Sequence, residues 1–359
     1  MSHRIVDELV EELPYPEFNP AFVPVEVDRD TIEISIGPWT GPSYTVHDDE
    51  RDGKIADLLD RIDGETHITE ILDPLDEHER AEFGQFLHKL ATDSVIYDRS
   101  EAEPDSWTHL TLRDQFSSED RTRLESRRVL VVGCGEIGQQ IATDLSSVGV
   151  QEVGIIDPTT DTPAADNLDG DVVEFDADSL EESVAAADFV VYTASRPYPN
   201  LESRLNEATL ESGTPWTSAR IQGFDGFIGP TIFPGETACF ECYREREMAN
   251  VSNTSQYQAY LQQMADKPDT TQLRLPGLAR MLAGYLVMDL VNLLAFGTGF
   301  TSGRVFVVNG TRLSIECNDV LKLPRCRSCG KEQGNTVSRF GGESQIVRAV
   351  DRFGVGDSG

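Results

Sequence analysis

The sequence predicts an α/β protein in two parts: a small α+β region over residues 1–100, and a Rossmann-like α/β domain over 128–330 that bears a four-cysteine zinc site. Three observations predict it. Short β-like runs between Phe22 and His47 give way to helical periodicity up to Leu90. An apolar run from Arg128 ends in the glycine turn G-x-G-x-x-G. Two C-x-x-C pairs then stand far apart in the region that follows.

In chain order, FVPVEV, TIEISI and SYTVH are separated by Asp-Arg-Asp and by Gly-Pro-Trp-Thr-Gly-Pro, turn chemistry that fits an antiparallel meander. Ile55, Leu58, Leu59 and Ile62 form one helical stripe, which Asp63-Gly64 stops. Ile68, Ile71 and Leu72 mark a shorter helix, and Phe83, Phe86, Leu87 and Leu90 a third that begins near Asp76. Residues 101–127 carry mixed charge without a strand pattern and read as a linker with one helical piece. VLVVGCGEIGQQIATDLSSVGVQEVGIIDP gives strand, glycine turn, helix and a second strand that ends at Asp157. Alternation continues through DFVVYTA at 188–194. Residues 244–272 form a charge-rich insertion, expected to be partly helical and mobile. A helix from Leu278 to Phe296 follows, then VFVVNG and LSIECN as a closing hairpin, and a tail over 331–359.

Thirty Lys and Arg stand against 63 Asp and Glu, a net charge of −33, and only 5 of the 30 are Lys. That balance repels a phosphate backbone and disfavours nucleic acid as a partner. With 39% hydrophobic residues the chain still has the composition of a packed globular protein. The acid is spread along the whole chain, which points to solvation in a salt-rich, halophilic cytoplasm. The N-terminus has no secretory pattern. The Leu278–Phe296 stretch contains Arg280, Asp289 and Asn292, so a buried helix is expected there and no membrane association.

Chemistry gathers at two places. Gly133, Gly135 and Gly138 follow a strand and open a helix, and Asp157 ends the next strand. Small residues there admit a pyrophosphate to the backbone, the helix N-terminus stabilises its charge, and the carboxylate can take a ribose. The alternative is a turn that only packs helix on strand. Cys239 and Cys242, with Cys326 and Cys329, can bring four thiolates tetrahedrally to one Zn²⁺. All four positions would be filled by protein, so the metal would be structural; reducible disulfides or free thiols are the alternative. Cys134 and Cys317 are expected to pack.

The motifs VVGCGEIG and IID at 155–157, the knuckles CFEC and CRSC, the helix LPGLARMLAGYLVMDLVNLL and Leu323-Pro324-Arg325 resemble the ThiF/MoeB/HesA superfamily of ubiquitin-activating-type enzymes, over about 128–330. The resemblance implies ATP-dependent adenylation of a carboxyl terminus and a homodimer. Active relatives follow their acidic residue with Asn and then Arg; here Asn167 is followed by Asp169 and Asp171. Where relatives place a magnesium-binding Asp, this chain reads Tyr192-Thr193-Ala194-Ser195-Arg196. A degenerate, non-adenylating version is therefore expected, with ATP binding in doubt.

The N-terminal hundred residues, with LLDRIDGETHITEIL at 58–72, look like the PqqD-like winged-helix peptide-recognition element. Such elements bind a leader peptide as an added strand. Tyr44 and Val46 on the third strand, with Phe83 and Leu87 on the last helix, are the expected contacts. Together the two parts are similar to the leader-binding partner proteins of thiazole/oxazole-modified (TOMM) peptide biosynthesis. A YcaO-type cyclodehydratase does the ATP-dependent chemistry in that family, and it is expected here as a separate partner. The competing readings are an adenylyltransferase and, with only the glycine turn in its favour, a dinucleotide-dependent oxidoreductase.

Overall fold

A computed structural model of the protein describes residues 9–28, 31–37, 43–47, 53–93, 95–100, 118–157, 172–174, 180–266 and 275–330. The chain divides into two units, Met1–Ser118 and Glu119–Gly359. Asn167, Asp169 and Asp171, the 331–359 tail, residues 101–117 of the expected linker and residues 267–274 of the insertion lie outside the described residues.

The first unit runs β1 (Pro16–Phe18), β2 (Val23–Asp28), β3 (Thr31–Ser35), β4 (Ser43–His47), α1 (Lys54–Leu59), α2 (Ile68–Leu72), α3 (Glu77–Thr92) and β5 (Ile96–Asp98). Strands β2, β3 and β4 form the expected antiparallel meander, and β1 pairs with β5. Local chemistry sets the helix starts. The Asp76 carboxylate accepts from the backbone N–H groups of His78 and Glu79, while Glu79 accepts from that of Asp76, a reciprocal cap that opens α3. His67 caps α2 by accepting from the Thr69 N–H. Helix α1 ends at Leu59, short of the apolar stripe, and Ile62 is buried from a turn instead. Ile32 and Ile34 on the inner face of the sheet pack with Leu58, Ile68, Ile71, Leu87 and Leu90.

The sheet's two outer strands differ. Every residue of β2 is exposed, Pro24 supplies no N–H, Glu26 shares the inner face with Ile32, and the register shifts between Glu26 and Asp28. All are features that block pairing with a further strand. Strand β4 has none of these: its five residues hold unbroken register with β3.

The second unit comprises α4 (Ser118–Glu125), β6 (Arg128–Val132), α5 (Glu136–Ser147), β7 (Glu152–Ile156), β8 (Val172–Glu174), α6 (Leu180–Ala186), β9 (Phe189–Ala194), α7 (Pro199–Ser212), β10 (Trp216–Gln222), β11 (Asp225–Ile228), α8 (Phe240–Asn250), α9 (Thr254–Asp266), α10 (Pro276–Phe296), β12 (Arg304–Asn309) and β13 (Ser314–Asp319). One eight-stranded sheet has the order β13-β12-β11-β10-β9-β6-β7-β8. Strands β10, β9, β6, β7 and β8 are parallel, and β11, β12 and β13 add antiparallel. The central strands β6, β7 and β9 are buried almost throughout, as a parallel sheet covered on both faces requires. Helix α10 is long and apolar enough to cross a membrane, yet it packs on α5, β10 and β11, and 72% of its most apolar window is buried. Its Asp289 accepts from the Phe300 and Thr301 N–H groups, tying the helix to the following loop. The expected insertion is two helices, α8 and α9, up to Asp266.

Candidate metal centre and glycine turn

Cys239 is the N-terminal cap residue of α8, where the Phe240 N–H is taken by the Asn206 side chain at 2.9 Å, and Cys242 follows within the first turn. The second knuckle is a tight turn in which the Cys326 N–H donates to the Leu323 carbonyl and the Gly330 N–H to that of Cys326. A Cβ on Gly330 would fall 2.4 Å from the Cys326 carbonyl oxygen, so glycine is required there. Arg246 on α8 donates to the carbonyls of Leu321 and Lys322, holding the two knuckles together. The Leu323 N–H lies 3.4 Å from the Cys242 sulfur.

The four sulfurs lie within 4.8 Å of one another, and all four residues are buried. Sγ separations are 3.8 Å for Cys239–Cys242 and 3.6 Å for both Cys239–Cys326 and Cys242–Cys329. A disulfide would need about 2.05 Å, and none is formed. A tetrahedron with Zn–S bonds of ~2.3 Å has edges of about 3.8 Å, which these separations match. The donor set also calls for a cation. Hydrogen bonding from Cys239 and Cys329 pushes Cys242 toward the thiolate, while contacts with Cys242 and Cys329, and burial, push Cys239 up. Four adjacent buried thiols cannot all ionise unless a metal compensates them.

The glycine turn lies between β6 and α5, where the strand order reverses between β6 and β9, the position at which doubly wound sheets take ligands. Its three glycines have different reasons. Gly133 has φ +111°, and a Cβ there would meet the Thr193 carbonyl oxygen at 2.2 Å; one on Gly138 would meet that of Gly133 at 1.9 Å. Both are demanded by packing. Gly135 has open space around its Cβ position and starts α5 without a side-chain cap. Asp157 accepts from the Cys134 N–H at 3.1 Å and so braces the turn itself.

At the carboxyl end of β9, Ser195 is exposed and Arg196 is buried with its guanidinium 4.3 Å from the Tyr198 ring. The neighbouring β10 contributes Arg220, paired in register with Ala194. Cations, not a carboxylate, stand on β10 and just past the end of β9. Nothing in the sequence pattern singled out Arg220. Fully buried, it lies 4.9 to 5.6 Å from the rings of Tyr243, Phe240 and Phe227. Burial opposes its charge, but Tyr243, Glu247 and Glu202 more than offset that and keep it protonated. Glu202, pushed up by burial, accepts from the Tyr192 hydroxyl. Phe240 and Tyr243 belong to the first knuckle's helix, so this network anchors the cysteine cluster to the sheet.

In the first unit Tyr44 and Val46 are half-buried on β4. The Tyr44 hydroxyl donates to Asp93 at 2.8 Å. Phe83 and Leu87 are interior: Leu87 is 0% exposed and Phe83 9%, both within the core. They belong to the core and form no surface. Lys89, 5.7 Å from the Tyr44 ring, and Asp93 stand beside β4 instead, with partly buried Phe86 one turn earlier. Cys317, on β13, is exposed rather than packed.

The ThiF family model matches residues 109–169, which include β6, the glycine turn, α5 and β7. Similar solved structures include E. coli MccB with MccA-N7isoASN, at 16% identity and TM-score 0.55, covering 88% of this chain and 99% of that one. E. coli MccB with ATP matches at 17% identity and TM-score 0.54 over the same shares. The heterocyclase TruD matches at 17% identity and TM-score 0.59 over 94% of this chain and 47% of its own, so the chain spans about half of that protein. No curated protein sequence matches. At these identities the likeness is one of fold.

Proposed function

We propose that this chain binds the leader of a ribosomally made precursor peptide and presents it to a separate YcaO-type cyclodehydratase for azoline formation, without adenylating anything itself. The first unit is the peptide-recognition element, a PqqD-like winged helix, and the peptide adds as a strand beside β4. The difference between the two outer strands carries this reading: Pro24, Glu26 and the register shift obstruct β2, while β4 offers a regular edge with Tyr44 and Val46 beside it. The shared fold with MccB, solved with MccA, supports a peptide as ligand.

The cysteine cluster holds structural Zn²⁺ through Cys239, Cys242, Cys326 and Cys329, and the bound metal supplies charge compensation rather than chemistry. The exposed side chains of Tyr285, Met288 and Phe300 support a homodimer contact on the second unit. Replacing Val46 with Pro tests the peptide site: leader affinity measured by fluorescence anisotropy should fall at least tenfold while zinc content stays at one per chain. Unchanged affinity would refute binding at β4.

A second reading has one observation in its favour. Gly135, Gly133, Gly138 and Asp157 surround an open helix N-terminus at the switch point, which suits a nucleotide, and MccB has been solved with ATP. An adenylyltransferase would use this turn. Ser195 and Arg196 in place of a magnesium-binding carboxylate weigh against it, since nothing else described at the β9 end would hold the metal beside a triphosphate.

A further inference from the structure

The eight-stranded sheet of the second unit ends on β13, and among the described residues no strand pairs with its outer edge. All six of its residues are exposed, and they hold unbroken register with β12 without a Pro, a Lys or a bulge. The strand at the other end of the sheet, β8, has only three residues. A regular edge of this length takes a further strand from whatever chain offers one. Pro24 and a register shift obstruct β2 in the first unit; nothing of that kind obstructs β13.

The two faces of β13 ask for different partners. Ile315, Cys317 and Asp319 share the face of Phe306, whose ring meets Tyr285 of α10, while Ser314, Glu316 and Asn318 share the other. Asp319 is answered by Arg304 at 3.0 Å, whereas no ion pair among the described residues involves Glu316. A fitting occupant would set an apolar residue beside Ile315 and a cation beside Glu316, on opposite faces and therefore adjacent in its own sequence. For an antiparallel strand the order is cation first, then apolar residue.

We infer that residues 335–340 of this same chain, Asn-Thr-Val-Ser-Arg-Phe, add to β13 as an antiparallel strand, with Arg339 opposite Glu316 and Phe340 opposite Ile315. One register satisfies every position: Ser338 faces Cys317, Thr336 faces Asp319, and Gly341-Gly342 falls past the end of the strand. Thr, Val and Phe favour a strand, and Arg339 is the sole charge between Glu332 and Glu343. The same dipeptide recurs at Arg352-Phe353, but Asp351 before it would then face Cys317 on the apolar side. The connection also fits. The Leu323 N–H and the Cys329 sulfur lie 3.4 and 3.6 Å from the Cys242 sulfur, so the second knuckle returns the chain toward the end of β13 from which it set out. Five residues after Gly330, reaching roughly 20 Å, lead to Thr336 at that same end. Strands β11, β12 and β13 already pair each with the next, and the addition continues that meander. It goes beyond the peptide-binding reading and bears on it: with β13 occupied by its own chain, an extended peptide meets its open edge at β4.

Amide hydrogen exchange of the full chain tests this, at the lowest KCl concentration that preserves the circular dichroism spectrum, with a chain that stops at Gly330 as the comparison. In the full chain the N–H groups of β13 that face outward should be protected along with those that face β12. In the shortened chain the outward ones should exchange at least tenfold faster while β11 and β12 stay as they were. A peptide of residues 333–342 added to it should restore the protection. In the full chain Arg339→Glu should speed the outward groups at least threefold, and Glu316→Arg added to it should reverse that, whereas Arg352→Glu should do neither. These substitutions keep the length of the chain and its cysteines, so they read the pairing even where the shortened chain is unstable. Outward groups that exchange freely in the full chain would overturn the inference. Protection that survives shortening and rises with protein concentration would give the edge to a second copy and overturn it as well. Protection lost on shortening but indifferent to the charge pair would overturn the register, and with it the assignment of residues 335–340.

Discussion

The first unit folds a small apolar core with capped helices under a net charge of −20, from 9 Lys and Arg against 29 Asp and Glu over residues 1–118; the second, with 21 against 34 and a net −13 over 241 residues, builds eight strands around buried apolar residues and closes four cysteines on one point. The difference shows where each unit is vulnerable. A chain with few buried apolar groups and high self-repulsion depends on its solvent, because screening is what offsets the repulsion. A domain whose end gathers four buried cysteines would depend on a metal held by them.

The largest expected effect strikes the second unit. Cys242→Ser should release the zinc, measured by elemental analysis as a fall from one ion per chain to none. It should also cost about 4 kcal/mol or more, lowering the melting temperature of that unit by roughly 10 °C. The transition of the first unit should not move; a joint shift would mean that the two are not independent in this respect. Within the glycine turn the comparison sharpens. Gly138→Ala places a methyl group 1.9 Å from the Gly133 carbonyl oxygen and should destabilise by about 2–3 kcal/mol in denaturant titration. Gly135→Ala meets open space and should cost about 1 kcal/mol or less, the price of a poorer cap. Equal losses would show that the turn's geometry is misassigned.

The next effect belongs to the first unit. On dilution from 3 M to 0.1 M KCl its amide protons should exchange before those of β6, β7 and β9, because its charge density is higher. Protection lost in the opposite order would remove the charge account. The smallest effect is the cap of α3. The N–H groups of Glu79 and His78 hold the Asp76 carboxyl below its ordinary value. Its contribution is therefore present above that value and is lost as pH falls through the folded value. Acid should fray the first turn of α3, seen as faster amide exchange at His78 and Glu79, and Asp76→Asn should remove that pH dependence.

Much of the fold was legible because its signals are local. Turn residues separate β2, β3 and β4, Asp76 and Glu79 mark the start of α3, and the two C-x-x-C pairs announce the cluster. The pair β1–β5 was not legible: each strand has three residues, too few for a period, and they meet across 80 positions. Phe83 and Leu87 fit either a surface groove or a core, since helical spacing gives a face but not what covers it; the structure buries both. Asp157 fits a ribose acceptor by position, yet only the folded turn brings the Cys134 N–H to it. Arg220 and Glu202 escaped because a buried ion network is assembled from β10, α7 and α8 and has no sequence period.

The central claim is that a nucleotide-type fold here handles a peptide without activating it. Exchange of labelled pyrophosphate into ATP, measured with the full chain, Mg²⁺ and its precursor peptide, tests it most directly. The account predicts no label in ATP above the protein-free blank. Peptide-dependent incorporation abolished by Gly138→Ala would contradict it.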